Sequence, residues 1–364
     1  MERFKYHFEP KSGWMNDPNG LVFFGGKYHA FFQHNPHDTK WGPMHWGHAV
    51  SDDLICWEEL PIALYPDMPY ENSGGCFSGS AIEKDGKLYL FYTSVSKELG
   101  QTQSMAISED GVNFTKYEGN PVIKNSPLGS NANFRDPKVF KRGEDYFMVT
   151  GAETDGIGRV LLFTSKDLVS WDFVAPHYET DEFGGTLECP DMFPLGDKWV
   201  LMFSAMKPKK YSTVFLIGDF DGKTFVHGNP EYVEAGLDFY APQTLLSKEG
   251  RRIMIGWFYH WGKTLPMGAD SAGALTLPRE LSLSGDKLIA KPIAQACGLL
   301  ETQNDHVNIS GTEIRIINGD ETIELIDTRE NGIEKISKID ILFDKKAVEI
   351  FINGGEMNIS RWLI

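Results

Sequence analysis

The chain has 364 residues, of which 41% are hydrophobic and 24% charged, the composition of a soluble globular protein with one large domain or two ordinary ones. Its formal net charge of −16 excludes general binding to nucleic acid or to an anionic membrane, because both need a basic face, but it allows a small anionic substrate. No stretch approaches the roughly 18 apolar residues of a membrane span, and the N-terminus lacks a secretory core, so a cytoplasmic location is expected.

Five hairpins are predicted in chain order. Each has an apolar strand, a tight turn with a glycine, and a second apolar or aromatic strand: NGLVFFGGKYHAFFQ, GSAIEKDGKLYLFYT, PKVFKRGEDYFMVTG, PDMFPLGDKWVLMFS and PQTLLSKEGRRIMIGWF. The turn glycines are 60, 57, 53 and 54 residues apart, at Gly26, Gly86, Gly143, Gly196 and Gly250. Repetition at a nearly fixed period indicates a fold built from repeated units.

A second repeated element lies between the hairpins. In SDDLICW, SEDGVNF, SKDLVSW and GDFDGKTF an Asp stands four residues before an aromatic residue, with a strand-like run on both sides. The segment ALTLPRELSLSGDKLIAKP supplies a second strand pair for the fifth period. Four antiparallel strands repeated five times predict an all-β fold, with a five-bladed β-propeller over residues 1–292. The aromatic residues that keep the period are predicted to pack the blades: Trp57, Phe114, Trp171 and Phe225.

Residues 293–364 are predicted to form a short all-β module packed on the propeller, because VEIFING is strand-like and too apolar to stay in water. A partial module exposes sheet edges and an apolar face to solvent unless another protein surface packs against them. A homo-oligomer formed through this module is therefore expected.

Acidic residues recur just before the first strand of three predicted blades. Equivalent positions of the blades lie on a ring around a propeller axis, and here they hold NDPN, FSGS, FRDP, ECPD and YAPQ. Asp17, Asp136 and Glu188 precede their turn glycines by nine, seven and eight residues, which places the three acids at one level of the ring. Although distant in sequence, they are predicted to meet at one end of the central channel.

Clustered carboxylates repel one another, so a fold has little structural reason to gather them. One protonated and one ionised carboxyl group are, however, the pair that cleaves a glycosidic bond. Side chains able to contact a sugar accompany the acids: the polar Asn16, Gln33, Ser78 and Arg135, and the flat Trp41, Trp46, Phe77, Tyr240 and Trp257.

Alternative roles remain open for these acids. Asp136 beside Arg135 also fits an ordinary ion pair, and three carboxylates also suit Ca²⁺. Asp191 is a second acid close to Glu188. Cys189 is disfavoured as a nucleophile, because no His occupies a matching ring position.

The pattern of cysteines and histidines does not indicate a metal-binding site. The four cysteines contain no CxxC pair, so free thiols are expected at Cys56, Cys76, Cys189 and Cys297. Five of the ten histidines lie between His29 and His48, yet there is no HExxH motif and the run reads as strands and turns. No metal and no cofactor are predicted.

The motifs WMNDPNG at 14–20, FSGSA at 77–81, FRDP at 134–137 and ECPD at 188–191 resemble those of glycoside hydrolase family 32. The resemblance implies that Asp17 is the nucleophile, Glu188 the general acid and base, and Asp136 a stabiliser that binds fructose hydroxyls. It implies a retaining β-fructofuranosidase that acts on a small sugar substrate such as sucrose, sucrose 6-phosphate or a short fructan. An inverting glycosidase of the arabinan type and a non-catalytic propeller that binds a carbohydrate or a protein are the alternatives.

The same resemblance implies an appended β-sandwich, to which IDILFDKKAVEIFINGGEMNIS near 339–360 is similar. Only about 70 residues follow the propeller, fewer than the roughly 100 of a seven-stranded sandwich, so an abbreviated, sandwich-like module is predicted. For a retaining mechanism the carboxyl groups of Asp17 and Glu188 are expected about 5 to 5.5 Å apart. Burial and neighbouring charge are expected to raise the pKa of Glu188.

Overall fold

The computed structural model describes residues 3–208, 210–258, 261–263 and 270–364, and this part of the chain is all-β. Its helices are three short 3₁₀ turns at Pro69–Glu71, Ala294–Leu299 and Thr328–Asn331. No helix in the described ranges combines the length and the hydropathy that crossing a membrane requires.

Five antiparallel sheets follow one another along the chain, and each keeps its four main strands in sequence order. The first contains β1 (Gly13–Phe24), β2 (Lys27–Asn35), β3 (His45–Ser51) and β4 (Trp57–Leu64). The second contains β5 (Gly75–Lys84), β6 (Lys87–Ser96), β7 (Gly100–Ser108) and β8 (Thr115–Lys116). The third contains β9 (Phe134–Arg142), β10 (Asp145–Thr154), β11 (Ile157–Ser165) and β12 (Asp172–Thr180).

The fourth sheet contains β13 (Leu187–Leu195), β14 (Lys198–Ala205), β15 (Thr213–Phe220) and β16 (Phe225–His227), and the short β17 (Glu231–Tyr232) also pairs with β15. The fifth contains β18 (Phe239–Leu246) and β19 (Arg252–Phe258), followed by β21 (Arg279–Ser284) and β22 (Lys287–Pro292). Between β19 and β21 in the chain, β20 (Ser271–Ala272) pairs in parallel with β1 and so links the last sheet to the first.

The five predicted hairpins are confirmed as β1–β2, β5–β6, β9–β10, β13–β14 and β18–β19. Their turn glycines all have φ between 62° and 86°. Such left-handed backbone angles carry no steric penalty at glycine, because it has no Cβ. The period seen in the sequence is therefore the period of the hairpin turns.

The repeated Asp folds the connection between the third and fourth strands of a sheet. Asp167 Oδ1 accepts hydrogen bonds from the backbone N–H groups of Val169 and Ser170, both at 2.8 Å. Trp171 then packs edge-to-face on Phe91 of the preceding sheet, with ring centroids 5.8 Å apart. Asp53, Asp110 and Asp221 accept equivalent pairs of backbone bonds, and Phe114 and Phe225 also pack on rings of the preceding sheet. The predicted packing role of these aromatic residues is confirmed.

The first strands of the five sheets contact one another in a closed cycle. β1 contacts β5, β5 contacts β9, β9 contacts β13, β13 contacts β18, and β18 contacts β1. Because every sheet enters the cycle through the same strand, equivalent residues of the repeat are brought around one axis.

The C-terminal residues form two three-stranded antiparallel sheets. The first contains β23 (Val307–Ser310), β24 (Glu313–Asn318) and β25 (Glu321–Asp327), and the second contains β26 (Ile339–Asp344), β27 (Ala347–Ile352) and β28 (Met357–Trp362). Ile314 and Ile316 of the first sheet share a buried core with Ile350 of the second. Phe351 points to the other face of β27 and packs with Leu245 in a core shared with the first and fifth sheets. The strand β27 is thus buried on both faces.

Candidate active site

The first strands share an irregularity close to their starts. Their pairing is interrupted between Met15 and Pro18, Phe77 and Gly79, Arg135 and Lys138, Glu188 and Asp191, and Tyr240 and Gln243. At three of these bulges Asp136, Cys189 and Ala241 have φ values of 65°, 46° and 47°, which few residues other than glycine adopt. A bulge redirects the neighbouring side chains, and Asp17, Asp136 and Glu188 all lie in or beside one.

The strand starts surround a cavity of about 680 Å³, a volume typical of small-molecule sites. Eleven of the twelve residues assigned to the site from sequence line it: Asn16, Asp17, Gln33, Trp41, Phe77, Ser78, Arg135, Asp136, Glu188, Tyr240 and Trp257. The expectation that Trp46 offers its face to a sugar is wrong. Its ring is fully buried between sheets, and its Nε1 donates to the carbonyl oxygen of Phe77 at 3.0 Å.

Asp17 lies between two donors. Ser78 Oγ donates to Asp17 Oδ2 at 2.7 Å, and Cys189 Sγ lies 3.5 Å from the same oxygen. Burial raises the pKa of Asp17 above its usual range, the hydrogen bond from Ser78 works in the opposite direction, and the charge of Glu188 adds to the rise. Beside it, Trp14 Nε1 donates to Asn16 Oδ1 at 2.7 Å, so the amide of Asn16 has a fixed orientation.

Asp136 is the most strongly perturbed carboxyl group of the cavity. The backbone N–H of Cys189 donates to Asp136 Oδ2 at 2.9 Å. Burial raises the pKa of Asp136 to about 7 against the opposing charge of Arg135, and the charges of Glu188 and Asp17 add to the rise. A carboxyl group with a pKa of about 7 is partly protonated at neutral pH. Burial thus raises the pKa values of both Asp136 and Asp17.

Glu188 has a donor on each carboxyl oxygen. Arg135 Nε and Nη2 donate to Glu188 Oε1 at 3.1 and 2.9 Å, and the hydroxyl of Tyr240 donates to Oε2 at 2.5 Å. Arg135 Nη1 also donates to Gln101 Oε1 and Asn133 Oδ1, at 3.2 and 3.3 Å. The guanidinium group therefore fixes the orientation of Glu188, and its direct hydrogen-bonded carboxylate partner is Glu188 and not the adjacent Asp136.

The other candidate groups of the ring have structural partners. Asp191 is fully buried, with Oδ2 3.1 Å from Lys138 Nζ and accepting from the backbone N–H of Thr244 at 2.6 Å. Burial raises the pKa of the Cys189 thiol well above its usual value, so the thiol is protonated at neutral pH. All four cysteines are free thiols. Among the described residues no group of three or more His, Cys, Asp or Glu side chains is placed to hold a metal ion.

The cavity wall also contains residues that sequence reasoning missed: Gln101, Asn133, Met206, Lys210, Leu237 and Trp261. The sequence repeat identifies only the residues at the start of each first strand as site candidates. In an antiparallel sheet the connection from the second to the third strand lies at that same end, and Trp41 lies in such a connection, between β2 and β3. Met206 and Lys210 lie in the β14–β15 connection, and Trp261 follows β19. The equivalent connection of each repeat is therefore the signal that locates Met206, Lys210 and Trp261.

Comparison with known proteins agrees with this geometry. A sequence model described as the glycosyl hydrolases family 32 N-terminal domain matches residues 7–292. A sucrose-6-phosphate hydrolase of Escherichia coli is 41% identical over 327 residues, which cover 84% of this chain and 67% of the relative. A sucrose-6-phosphate hydrolase of Zymomonas mobilis is 40% identical over 318 residues, which cover 80% of this chain and 62% of the relative. The chain thus spans about two thirds of the length of these relatives.

Solved structures extend the similarity to the C-terminal sheets. A mutant family 32 β-fructofuranosidase of Bombyx mori in complex with sucrose matches with a TM-score of 0.87 and 31% sequence identity, covering 100% of this chain and 89% of the other. The family model spans more than half of the chain and includes the segments that carry the three clustered acids. The chain belongs to glycoside hydrolase family 32.

Proposed function

We propose that the chain is a retaining β-fructofuranosidase that cleaves a terminal β-fructosyl group from sucrose, sucrose 6-phosphate or a short fructan. The observation that carries the proposal is the convergence of Asp17, Asp136 and Glu188, which come from three different sheets, on one cavity. Family membership and relatives named sucrose-6-phosphate hydrolase and β-fructofuranosidase support the reaction type and the sugar.

In the proposed mechanism Asp17 attacks the anomeric carbon of the fructosyl group and forms a covalent ester. Glu188 gives its proton to the glycosidic oxygen, which leaves with the electron pair of the broken bond. Glu188 then removes a proton from a water molecule that hydrolyses the ester and frees Asp17. Asp136 accepts hydrogen bonds from fructose hydroxyls. The separation of about 5 to 5.5 Å between the carboxyl groups of Asp17 and Glu188 stays a prediction.

A hydrolysis panel tests this proposal. Sucrose, sucrose 6-phosphate, kestose, inulin and levan are compared by released fructose, and NMR identifies the first-formed anomer. Asp17→Asn is expected to lose turnover of every substrate, whereas Glu188→Gln should suffer least on a fructoside with a good leaving group. Glu109→Gln, which removes an exposed carboxylate paired with Lys87, is the matched control.

The alternatives correspond to distinct outcomes of the panel. Net inversion at the anomeric carbon would favour the inverting, arabinan-type mechanism. Absence of hydrolysis on every β-fructoside would favour a binding module. Asp17→Asn with most of its activity intact would remove Asp17 from the nucleophile role.

We also propose that the five sheets are the blades of a five-bladed β-propeller within residues 1–292, and that residues 293–364 form an abbreviated, sandwich-like module. The closed cycle of first strands supports the former, and the core shared by two three-stranded sheets supports the latter. Self-association through this module stays a prediction, supported by the exposure of Ile309 and Leu325. A monomer in sedimentation at micromolar concentration would contradict it. A cytoplasmic location likewise stays a prediction.

A further inference from the structure

The connection between β14 and β15 forms one side of the cavity, where Pro208, Lys210 and Ser212 contribute to the wall. Among the described wall residues only Arg135 and Lys210 are cationic. The guanidinium of Arg135 is engaged by Glu188 at 2.9 Å. Of the two cations in the described wall, Arg135 therefore pairs with one of the three clustered acids, whereas Lys210 does not.

Lys210 is anchored by the C-terminal sheets. The adjacent Tyr211 is buried in the core of those sheets, and Lys210 Nζ lies 5.1 Å from the centroid of its ring. Nζ also lies 3.1 Å from Glu330 Oε2 in the 3₁₀ turn after β25. Partial burial works against the charge, but the hydrogen bond to Glu330 and the neighbouring Tyr211 raise the pKa of Lys210, so the ammonium group is charged at neutral pH.

The ion pair between Lys210 and Glu330 is exchangeable. The two side chains are 37% and 67% exposed, and exposed pairs of this kind contribute little to stability. An anionic ligand in the cavity is therefore able to take the place of Glu330. In a chain whose net charge is −16, the ammonium group of Lys210 is a local positive charge that an anionic ligand can use.

We propose that Lys210 binds a phosphate group on the leaving sugar and makes the enzyme selective for sucrose 6-phosphate over sucrose, an inference that rests on the proposed function. A phosphate dianion is repelled by the three clustered acids, and the charge of Arg135 is already matched by Glu188. The fructosyl end of the substrate therefore goes to the acids, and the phosphorylated sugar lies toward the β14–β15 connection. A lysine ammonium group suits this role as a compact point charge.

The test compares kcat/KM for sucrose 6-phosphate and for sucrose at physiological ionic strength. The wild-type protein is expected to prefer the phosphorylated substrate. Lys210→Met is expected to lower the ratio of the two values about ten-fold or more, mainly through KM, because a charge-assisted contact is lost. Lys210→Arg should restore most of the ratio. Lys207→Met, in the same connection but outside the wall, should keep it.

A second variant changes the ratio in the opposite direction. Glu330→Gln removes the carboxylate that competes for Lys210, so the preference for sucrose 6-phosphate should rise about two-fold to five-fold. Equal kcat/KM values in the wild-type protein, or an unchanged ratio in both the Met and the Gln variants, would overturn the inference while sucrose hydrolysis leaves the proposed function in place. Failure to hydrolyse any β-fructoside would instead refute the proposed function itself.

Discussion

At Asp17 the hydroxyl group of Ser78 is the strongest of the hydrogen-bonding groups that oppose the effect of burial. Ser78 Oγ donates to Asp17 Oδ2 at 2.7 Å and stabilises the ionised form that a nucleophile requires. Ser78→Ala should raise the pKa of Asp17 further, move the acidic limb of the kcat/KM profile to higher pH, and lower kcat roughly ten-fold. The measurement is sucrose hydrolysis across the acidic range. Ser170→Ala on the exposed surface is the control, and an acidic limb that does not move would show that Ser78 does not act on Asp17.

Asp136 is the carboxyl group of the cavity whose ionisation falls near neutral pH. Burial, with the charges of Glu188 and Asp17 in addition, raises the pKa of Asp136 to about 7 against the charge of Arg135. Asp136→Asn removes this ionisation. The pH profile of the residual activity should therefore change shape near neutral pH, in addition to a large fall in kcat.

The pH dependence of kcat/KM for the Asp136→Asn variant provides the measurement, with Glu109→Gln as a control that removes an exposed carboxylate away from the cavity. A profile of unchanged shape near neutral pH would mean that the ionisation of Asp136 does not affect activity.

At the scale of elements, the sequence predicted the hairpins because a left-handed turn glycine and strand-length apolar runs are local features. The placement of the three acids was predictable because each lies at one phase of the repeat. The orientation of Trp46 and the position of Lys210 were not predictable, for different physical reasons. A strand such as β3, buried on both faces, gives no alternation that says which way Trp46 points. Lys210 lies in a connection whose place in the sheet recurs but whose sequence does not, and its position depends on the packing of Tyr211 against distant C-terminal sheets.

The bulge in β5 requires a glycine for close approach. A Cβ at Gly79 would lie 1.9 Å from the carbonyl oxygen of Phe91 in β6, and the backbone there is fixed by strand pairing. Gly79→Ala should therefore lower the free energy of unfolding by about 1 to 3 kcal/mol or more and displace Ser78 from Asp17. Urea unfolding measures the first effect and sucrose hydrolysis the second.

Gly298→Ala is the matched control for this glycine, because no atom lies within 4 Å of the position that its Cβ would occupy. Its free energy of unfolding should change little or rise slightly. Equal stability of the two variants would contradict the requirement for close approach at Gly79.

At the scale of the whole molecule, the N-terminal segment, the fifth sheet and the C-terminal sheets meet at one buried group of charges. Glu349 of β27 accepts from Arg279 Nη2 at 2.6 Å and lies 2.8 Å from His7 Nε2. The other ring nitrogen of His7 lies 3.0 Å from Asp344 Oδ2, and Arg279 also pairs with Glu234. These side chains are almost fully buried, so loss of one partner leaves another charge buried and unpaired.

His7 makes the stability of this junction depend on pH. Burial disfavours the imidazolium form, but the hydrogen bonds to Asp344 and Glu349 outweigh it and raise the pKa of His7 from 6.5 to about 9. Because folding raises this pKa, the charged form of His7 adds about 3 kcal/mol to the free energy of unfolding at pH values below the pKa of His7 in the unfolded chain. This stabilisation is lost as the pH rises through about 9. Urea unfolding at several pH values across this interval should show the decline. His7→Gln keeps a polar side chain that does not titrate, so its stability should depend less on pH. Identical pH dependence of the two proteins as the pH rises through about 9 would exclude a charged His7 at the junction.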